Sequence, residues 1–189
     1  SAETLVLHNA RVLTITNGTI SSGAVRVQEG KIIQVGIASE MDLQADTVVD
    51  LKGQWLMPGL VDTHSHNGIN SKPRGAGSDS NERAGSVHPG LRALDAINPL
   101  DPGIRMALAG GITTANIMPG SGNVMGGQTA YVKYRGSTIE EMLIDNQGIT
   151  GGMKMANGEN PKRRGAASGK VPGTRMANAA LQREIFIKA

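Results

Sequence analysis

The 189-residue chain contains no cysteine, which excludes disulfides and any thiolate metal site. Aromatic residues make up only 2% of the sequence, and Trp55 and Phe186 are each the only residue of their type. The core must therefore be built from Ile, Leu, Val, Met and Ala, a composition typical of buried parallel strands covered by Ala-rich helices. No apolar run approaches 18 residues in length, so we expect no membrane span.

The charge of the chain is mild, with a formal net value of +3 and 19% charged residues. Basic residues are dispersed except at Lys162-Arg163-Arg164, where no aromatic residue is interleaved, and this favours a solvated loop over a nucleic-acid patch. We therefore expect neither a nucleic-acid nor a membrane partner, and a cytoplasmic protein. The first residue is Ser1 rather than Met, so export with a removed signal peptide is the alternative.

The first 57 residues alternate short apolar runs with turn residues, a pattern that predicts a small β-sandwich. Residues 5–7 and 11–15 are predicted to form two short paired strands. Residues 24–36 and residues 47–57 each contain two apolar runs around a Gly-containing turn, which predicts two hairpins. We therefore assign residues 1–57 to an accessory β-domain.

The most informative segment begins at Pro58-Gly59, which predicts a turn, and continues as an apolar strand that ends in two histidines. Side chains alternate along a strand, so His64 and His66 should point to one side and Ser65 to the other. Two imidazoles placed in this way can bind the same metal ion. The alternative is a pair of surface histidines on an ordinary strand.

The run from Pro58-Gly59 through Asp62 to His64 and His66 resembles the first barrel strand of the metal-dependent amidohydrolase superfamily, particularly its imidazolonepropionase-like and dipeptidase-like members. Gly110-Gly111 followed by Ile112-Thr113-Thr114 is similar to the second barrel strand of that superfamily. The resemblance implies an α/β fold in which a small N-terminal β-sandwich precedes a TIM-like (β/α)8 barrel. It also implies one or two divalent metal ions, with zinc expected, and hydrolysis of a C–N bond in a small-molecule substrate such as an amide, peptide or cyclic amide.

Residues 58–189 are therefore predicted to form the first half of the barrel. Asp101-Pro102 predicts the start of a helix, and Gly110-Gly111 predicts its end. Further predictions are strands at 112–118, 129–134 and 151–156, a short helix at 139–144, a loop at 157–173 and a final helix from Thr174 with an apolar face. The long loop at 67–100 should cover the metal site, and its His88 is a candidate substrate-binding residue.

The chain is too short for a complete barrel, which needs about 250 residues. Only 123 residues follow His66 (189 − 66). The resemblance implies further ligands on later strands, two histidines and an aspartate that would be the catalytic base, and these are expected outside this chain. We infer a fragment, a nicked chain, or one chain of a two-chain barrel whose partner supplies the C-terminal half. Such a chain should be inactive alone. The alternative is a non-catalytic structural subunit.

Lys154 has two interpretations. If 129–134 is the third barrel strand, Lys154 lies on the fourth and matches the carboxylated lysine that bridges two metals in binuclear family members. However, the connection from 112–118 to 129–134 is short for a parallel crossover, which normally needs a dozen or more residues. In the second interpretation 129–134 is an excursion and Lys154 lies on the third barrel strand. Lys154 is then either the bridging ligand or a structural residue beside the ligands, and imidazolonepropionases hold one metal without such a lysine. Both alternatives stay open at the level of the sequence.

Overall fold

The structure is a computed structural model that describes residues 3–70, 78–169 and 171–189. The chain divides into two compact units, Ser1–Pro58 and Gly59–Ala189, one residue after the boundary expected from the sequence. The first unit is all β, and the second mixes strands and helices. The predicted mixed α/β class, with a β-domain at the N-terminus, is therefore confirmed.

The first unit contains one five-stranded sheet. Its strands are β1 (Thr4–Leu13), β2 (Thr19–Gln28), β3 (Lys31–Ile37), β4 (Thr47–Asp50) and β5 (Trp55–Leu56). The order is β3-β2-β1-β4, with β5 also paired to β1. Antiparallel pairs join β1 to β2 and β2 to β3, whereas β4 and β5 run parallel to β1. Ala10, Val12 and Val25 form the buried cluster of this unit.

The hairpin predicted over residues 24–36 is confirmed by the β2–β3 pair, but two other predictions for this unit are wrong. Residues 5–7 and 11–15 do not pair with each other, because β1 is one strand that continues through a bulge at Asn9, whose φ is 54°. Residues 47–57 do not form a hairpin. Their backbone stays beside β1, with Leu51 donating to the carbonyl of His8 (3.0 Å) and Gly53 to that of Asn9 (2.7 Å).

The second unit contains two small sheets. Its strands and helices are β6 (Leu60–Ser65), α1 (Pro102–Ala109), β7 (Ile112–Ile117), β8 (Met125–Gln128), β9 (Ala130–Lys133), α2 (Ile139–Met142), β10 (Met153–Met155), α3 (Glu159–Ser168) and α4 (Arg175–Lys188). One sheet has the order β6-β7-β9, and the other pairs β8 with β10. Strands β6 and β7 are parallel, with α1 between them in the chain, and this is the βαβ arrangement that begins a barrel. The rest of the barrel stays a prediction.

The strand predicted at 129–134 is present as β9, but it runs antiparallel to β7. It is therefore an excursion and not the next parallel strand, in agreement with the second interpretation of the sequence. Lys154 lies on β10, which pairs with β8 and not with the β6-β7-β9 sheet.

Helix α1 begins and ends where the sequence predicts. At its start, the side chain of Asp101 accepts a hydrogen bond from the amide of Gly103 (2.6 Å). The prediction of a loop at 157–173 is wrong, since α3 occupies much of this range. Glu159 pairs with Lys162 (2.9 Å) and Arg163 (3.9 Å), three and four residues later, which supports a helix on the surface. Pro161 is tolerated in the first turn, where a backbone amide has no intrahelical partner.

Helix α4 starts after Thr174, as predicted, and the Thr174 hydroxyl accepts from the amide of Ala177 (3.1 Å). The predicted apolar face is only partly used, because Met176 and Phe186 are 80% and 66% exposed. The main core of the second unit lies instead around β7 and β9, and its largest buried members include Ile69, Ile117, Val132 and Met142. Within the described ranges, no helix is long and apolar enough to cross a membrane.

Candidate metal centre

The two predicted histidines lie where parallel strands β6 and β7 end. His64 is in β6, and His66 follows directly after it. Because the strands are parallel, the end of β7 lies beside them, and the amide of Met118 donates to the carbonyl of Ser65 (2.9 Å). The carboxyl ends of parallel strands are where open and closed α/β folds place their sites.

The imidazole rings of His64 and His66 lie on the same side of the strand, as predicted. Their centroids are 5.2 Å apart and the ring planes are nearly perpendicular, at 87°. His64 is exposed and His66 is half-buried, whereas Ser65 points into the protein and is 4% exposed. The Ser65 hydroxyl lies 3.3 Å from that of Tyr134, and this buried contact stabilises the end of β6.

The orientation of His66 is fixed by one hydrogen bond. Its Nδ1 lies 2.7 Å from the carbonyl oxygen of Met118. A carbonyl can only accept, so Nδ1 carries the proton and the lone pair is left on Nε2. This arrangement, in which one ring nitrogen donates to a backbone carbonyl, is the usual one for a histidine that binds metal through its other nitrogen.

Lys154 reaches the histidines from β10 and is 7% exposed. Its Nζ lies 3.3 Å from Nε2 of His64 and 3.3 Å from the Sδ of Met118. It forms no ion pair with any residue in the part of the chain that the structure describes. Burial lowers the pKa of Lys154, since a charged ammonium is disfavoured away from water.

The neighbouring charges favour the neutral form of His64. The Lys154 ammonium lowers the pKa of His64 most, burial and His66 lower it further, and Asp62 opposes them. Asp62 also fixes the backbone here, because its Oδ1 accepts a hydrogen bond from the amide of His64 (3.1 Å). A neutral imidazole is the form that binds metal, so the electrostatics suit a ligand.

These donors fit a divalent ion that accepts imidazole nitrogen, such as zinc. His64 and His66 supply two nitrogens, and Lys154 brings a third group that could become a ligand if carboxylated. Among the described residues, no group of three or more His, Cys, Asp or Glu side chains is placed to hold a metal. The described residues therefore bring together two imidazoles and one amine at this place.

The comparisons with known proteins agree on one family. Amidohydrolase tasK of Hapsidospora irregularis is 35% identical over 179 residues, which cover 88% of this chain and 18% of that protein. A 5'-deoxyadenosine deaminase of Methanosarcina mazei is 44% identical over 64 residues, which cover 33% of this chain and 14% of that protein. A crystal structure of an amidohydrolase from Thermotoga maritima MSB8 superposes with a TM-score of 0.87 at 42% identity, over 97% of this chain and 47% of that one.

The chain belongs to the amidohydrolase superfamily. It corresponds to the N-terminal portion, and it spans less than half the length of each of these three relatives. No family model matches the sequence. The recognition made from the His64 and His66 segment is thus confirmed at the level of the superfamily. The imidazolonepropionase-like or dipeptidase-like branch stays a prediction.

His88, the fourth residue singled out from the sequence, is hydrogen-bonded to strand β8. Its backbone amide donates to the carbonyl of Met125 on β8 (2.8 Å), and a methyl group on Gly85 would lie 3.3 Å from its Nε2. That Nε2 is buried and has no hydrogen-bond partner within the described ranges. No hydrogen bond in the described structure joins His88 to His64, His66 or Lys154. Its role in substrate binding stays a prediction.

The role of Met118 at this site was not predicted from the sequence. Met118 contacts two of the three groups, His66 through its carbonyl and Lys154 through its sulfur. The available signal was its position, directly after β7 and before Pro119-Gly120, at the strand end next to the histidines. Tyr134 was also missed. Its hydroxyl contacts Ser65 and accepts from Nδ2 of Asn67 (3.3 Å), a contact that depends on the antiparallel return of β9.

Proposed function

We propose that this polypeptide supplies the first part of the metal site of an enzyme that cleaves a C–N bond by hydrolysis. The observation that carries the proposal is the convergence of His64, His66 and the buried Lys154 at the ends of β6 and β7. Its relatives support the reaction class, since one is an amidohydrolase and another a deaminase. Amide hydrolysis and deamination both replace a C–N bond by a C–O bond with water as the nucleophile.

His66 would bind the metal through Nε2, because its Nδ1 is occupied by the carbonyl of Met118. His64 would use the nitrogen that now faces Lys154. When bound, the metal would supply Lewis acidity, which polarises the group attacked and lowers the pKa of water. We propose zinc as the ion, because two imidazoles and no thiolate suit it, and one or two ions remain compatible with the donors.

Lys154 has a specific place in this proposal. A buried ammonium beside two metal-binding imidazoles would repel a cation. Carboxylation of Nζ would replace that positive charge by an anionic carbamate and turn the repulsion into attraction. Burial lowers the pKa of Lys154, and this favours the reaction, since the neutral amine is the form that combines with carbon dioxide.

The remaining ligands and the catalytic base would come from polypeptide outside these 189 residues. This expectation is based on the Thermotoga maritima amidohydrolase, because the chain covers 47% of that protein. The substrate would be a small molecule held between the two parts. We therefore expect the chain alone to bind metal weakly and to lack turnover.

Zinc binding by the chain assembled with its complementary polypeptide, and by variants of that assembly, tests the metal centre. We expect His64→Ala and His66→Ala each to remove most of the zinc retained after dialysis, as measured by elemental analysis. His8→Ala, in the first unit, is the matched control and should leave zinc content unchanged. Full zinc content in His64→Ala would show that the site is wrong.

The reaction class needs a second experiment on the assembled protein. With the complementary polypeptide and zinc added, amides and aminopurines should be tested for release of a free amine or ammonia. Ammonia from an aminopurine would assign deamination, and an amine with a carboxylate would assign amide hydrolysis. A zinc-loaded assembly that leaves every C–N bond in such a panel intact would contradict the proposal and favour a structural subunit.

A further inference from the structure

A cavity of about 480 Å³ has a lining that differs in chemistry from the histidine cluster. It is formed by the segment 78–86 and by helix α3. Its lining residues are Ser78, Ser80, Asn81, Arg83, Gly85, Ser86, Arg164 and Gly165. Two of these side chains carry a positive charge and three carry a hydroxyl, whereas none is acidic. A polar cavity with this lining is complementary to an anion.

Hydrogen bonds to neighbouring segments hold the wall of the cavity in place. Asn123 is buried, and its Nδ2 donates to the carbonyls of Glu82 (3.0 Å) and Gly85 (2.8 Å). Asn81 Oδ1 accepts from the amide of Gly122 (2.6 Å), and Arg164 donates to the Glu82 carbonyl. The segment 81–85 is thus fixed to the loop after β7 and to α3, which reduces the ordering needed when a ligand binds.

The Glu82 carboxylate offsets part of the positive charge of the cavity, since Arg164 is, after the backbone amides of the loop, one of the groups that lower the pKa of Glu82. Glu82 turns back onto its own loop, where Oε1 accepts from the amides of Arg83 (2.5 Å) and Ala84 (2.8 Å). The Arg83 side chain forms no ion pair with the residues that the structure describes. Within the described ranges its five donors are therefore left for solvent or for a ligand.

The cavity is connected to the metal centre by a short stretch of backbone. The amide of Gly120 donates to the carbonyl of Ser80 (2.6 Å), a lining residue. Gly120 is two residues after Met118, whose carbonyl orients His66. Two residues span at most about 7.6 Å between Cα atoms, at 3.8 Å for each step. The backbone that orients His66 therefore continues directly into the wall of the cavity.

We propose that this cavity binds an oxyanion, a carboxylate or phosphate group, on a small-molecule ligand. Arg83 and Arg164 would bind its oxygens, because a guanidinium matches the geometry of both groups with paired donors. If the proposed function is right, the anion belongs to the substrate. The substrate class is then an anionic compound whose C–N bond lies at the metal centre while its charged group lies between Arg83 and Arg164.

Anion titrations of the full 189-residue chain test this proposal. Inorganic phosphate and acetate would be titrated separately and followed by NMR of the Arg side-chain Nε–H groups, which reports directly on Arg83 and Arg164. We expect at least one anion to shift both signals, and the stronger of the two identifies the group. Arg83→Gln should weaken that binding by about tenfold or more, since one charge-assisted contact is lost. Arg83 is exposed, so the variant should fold.

The matched control is Arg105→Gln, an exposed position on α1 outside the cavity with the same loss of charge. An equal loss of affinity in both variants would overturn the proposal, because it would indicate a general effect of net charge. Absence of binding by either anion would also overturn it. Zinc content of the same variants separates the two proposals: Arg83→Gln should keep zinc, and His64→Ala should keep anion binding. Failure of one site then leaves the other standing.

Discussion

Replacement of the buried lysine is expected to stabilise the metal-free chain. Lys154 is 7% exposed, and the only hydrogen-bond partners described for its Nζ are an imidazole nitrogen and a thioether sulfur. Neither compensates an ammonium that has lost its hydration. Lys154→Met keeps a similar length and volume but removes the polar group, so we expect the free energy of unfolding to increase.

The size of the effect follows from the cost of an uncompensated polar group. Values from protein mutations are about 1–3 kcal/mol for burial without an adequate partner. In a chain of this size, 1 kcal/mol corresponds to roughly 2–4 °C in Tm. Methionine is flexible and fills irregular space, so the packing cost of the replacement should be smaller than the gain.

The pH dependence of the free energy of unfolding provides a second, independent test. The folded-state pKa of Lys154 is lowered from 10.5, so between the lowered value and 10.5 the unfolded chain binds more protons than the folded chain. Stability of the unmodified chain must therefore rise with pH through that window. The advantage of Lys154→Met should shrink over the same range, because the neutral amine is cheaper to bury.

Thermal unfolding followed by calorimetry in a chelator and carbon-dioxide-free buffer measures both effects. Lys133→Met is the matched control, because Lys133 is exposed on β9 and should change stability by no more than about 0.5 kcal/mol. A Lys154→Met variant less stable than the parent chain would refute the reasoning, and so would a stability difference that does not change with pH. Either result would mean that the ammonium is well compensated.

Three further predictions concern the scaffold. Asp101→Ala should lower the free energy of unfolding by about 1–2 kcal/mol, since it removes the buried cap of α1, and chemical denaturation would measure the loss. Gly151→Ala should destabilise the chain, because its methyl would overlap the backbone carbonyl of Thr129, whereas Gly158→Ala meets open space and serves as the control. Hydrogen bonds from the amides of Ser137 and Thr138 lower the pKa of Glu141, so its stabilising effect is present above pH 4.5 and is lost as the pH falls through the lowered value. Glu141→Gln should therefore flatten the acid limb of the stability curve.

The parts of the fold that the sequence predicts are those determined by local contacts. The hairpin of β2 and β3 depends on a Gly-containing turn, and α1 depends on Asp101-Pro102 at one end and Gly110 at the other. The common side of His64 and His66 follows from strand geometry alone. Each of these features lies within about ten residues of chain, where turn and capping preferences decide the outcome.

The parts that could not be predicted depend on contacts between distant residues. Nothing local to residues 47–57 shows that they pair with β1 and not with each other. The direction of β9 is decided by its pairing with β7, so a strand was predicted but not its orientation. Helix α3 was not predicted because its sequence is polar and contains Pro161 and Gly165. The ion pairs of Glu159 form only when the segment is helical, so they gave no signal beforehand.

The candidate site shows the same division. The two histidines could be found from spacing and from family resemblance, and Lys154 from its position after them. That Lys154 reaches His64 from a different sheet, and that Met118 touches both His66 and Lys154, depends on how β10 and β7 approach each other in space. The cavity proposed to bind an anion could not be predicted from the sequence either, because Arg83 and Arg164 are 81 residues apart (164 − 83).

The central claim is that His64, His66 and Lys154 form one metal centre, and anomalous X-ray diffraction at the zinc edge tests it most directly. Crystals of the full chain grown with zinc and bicarbonate should show an anomalous peak about 2.0–2.1 Å from one nitrogen of each histidine, the usual zinc–imidazole distance. Density continuous with Nζ of Lys154 beside that peak would add the carbamate. A strong zinc peak bound elsewhere, with both imidazoles left free, would contradict the account.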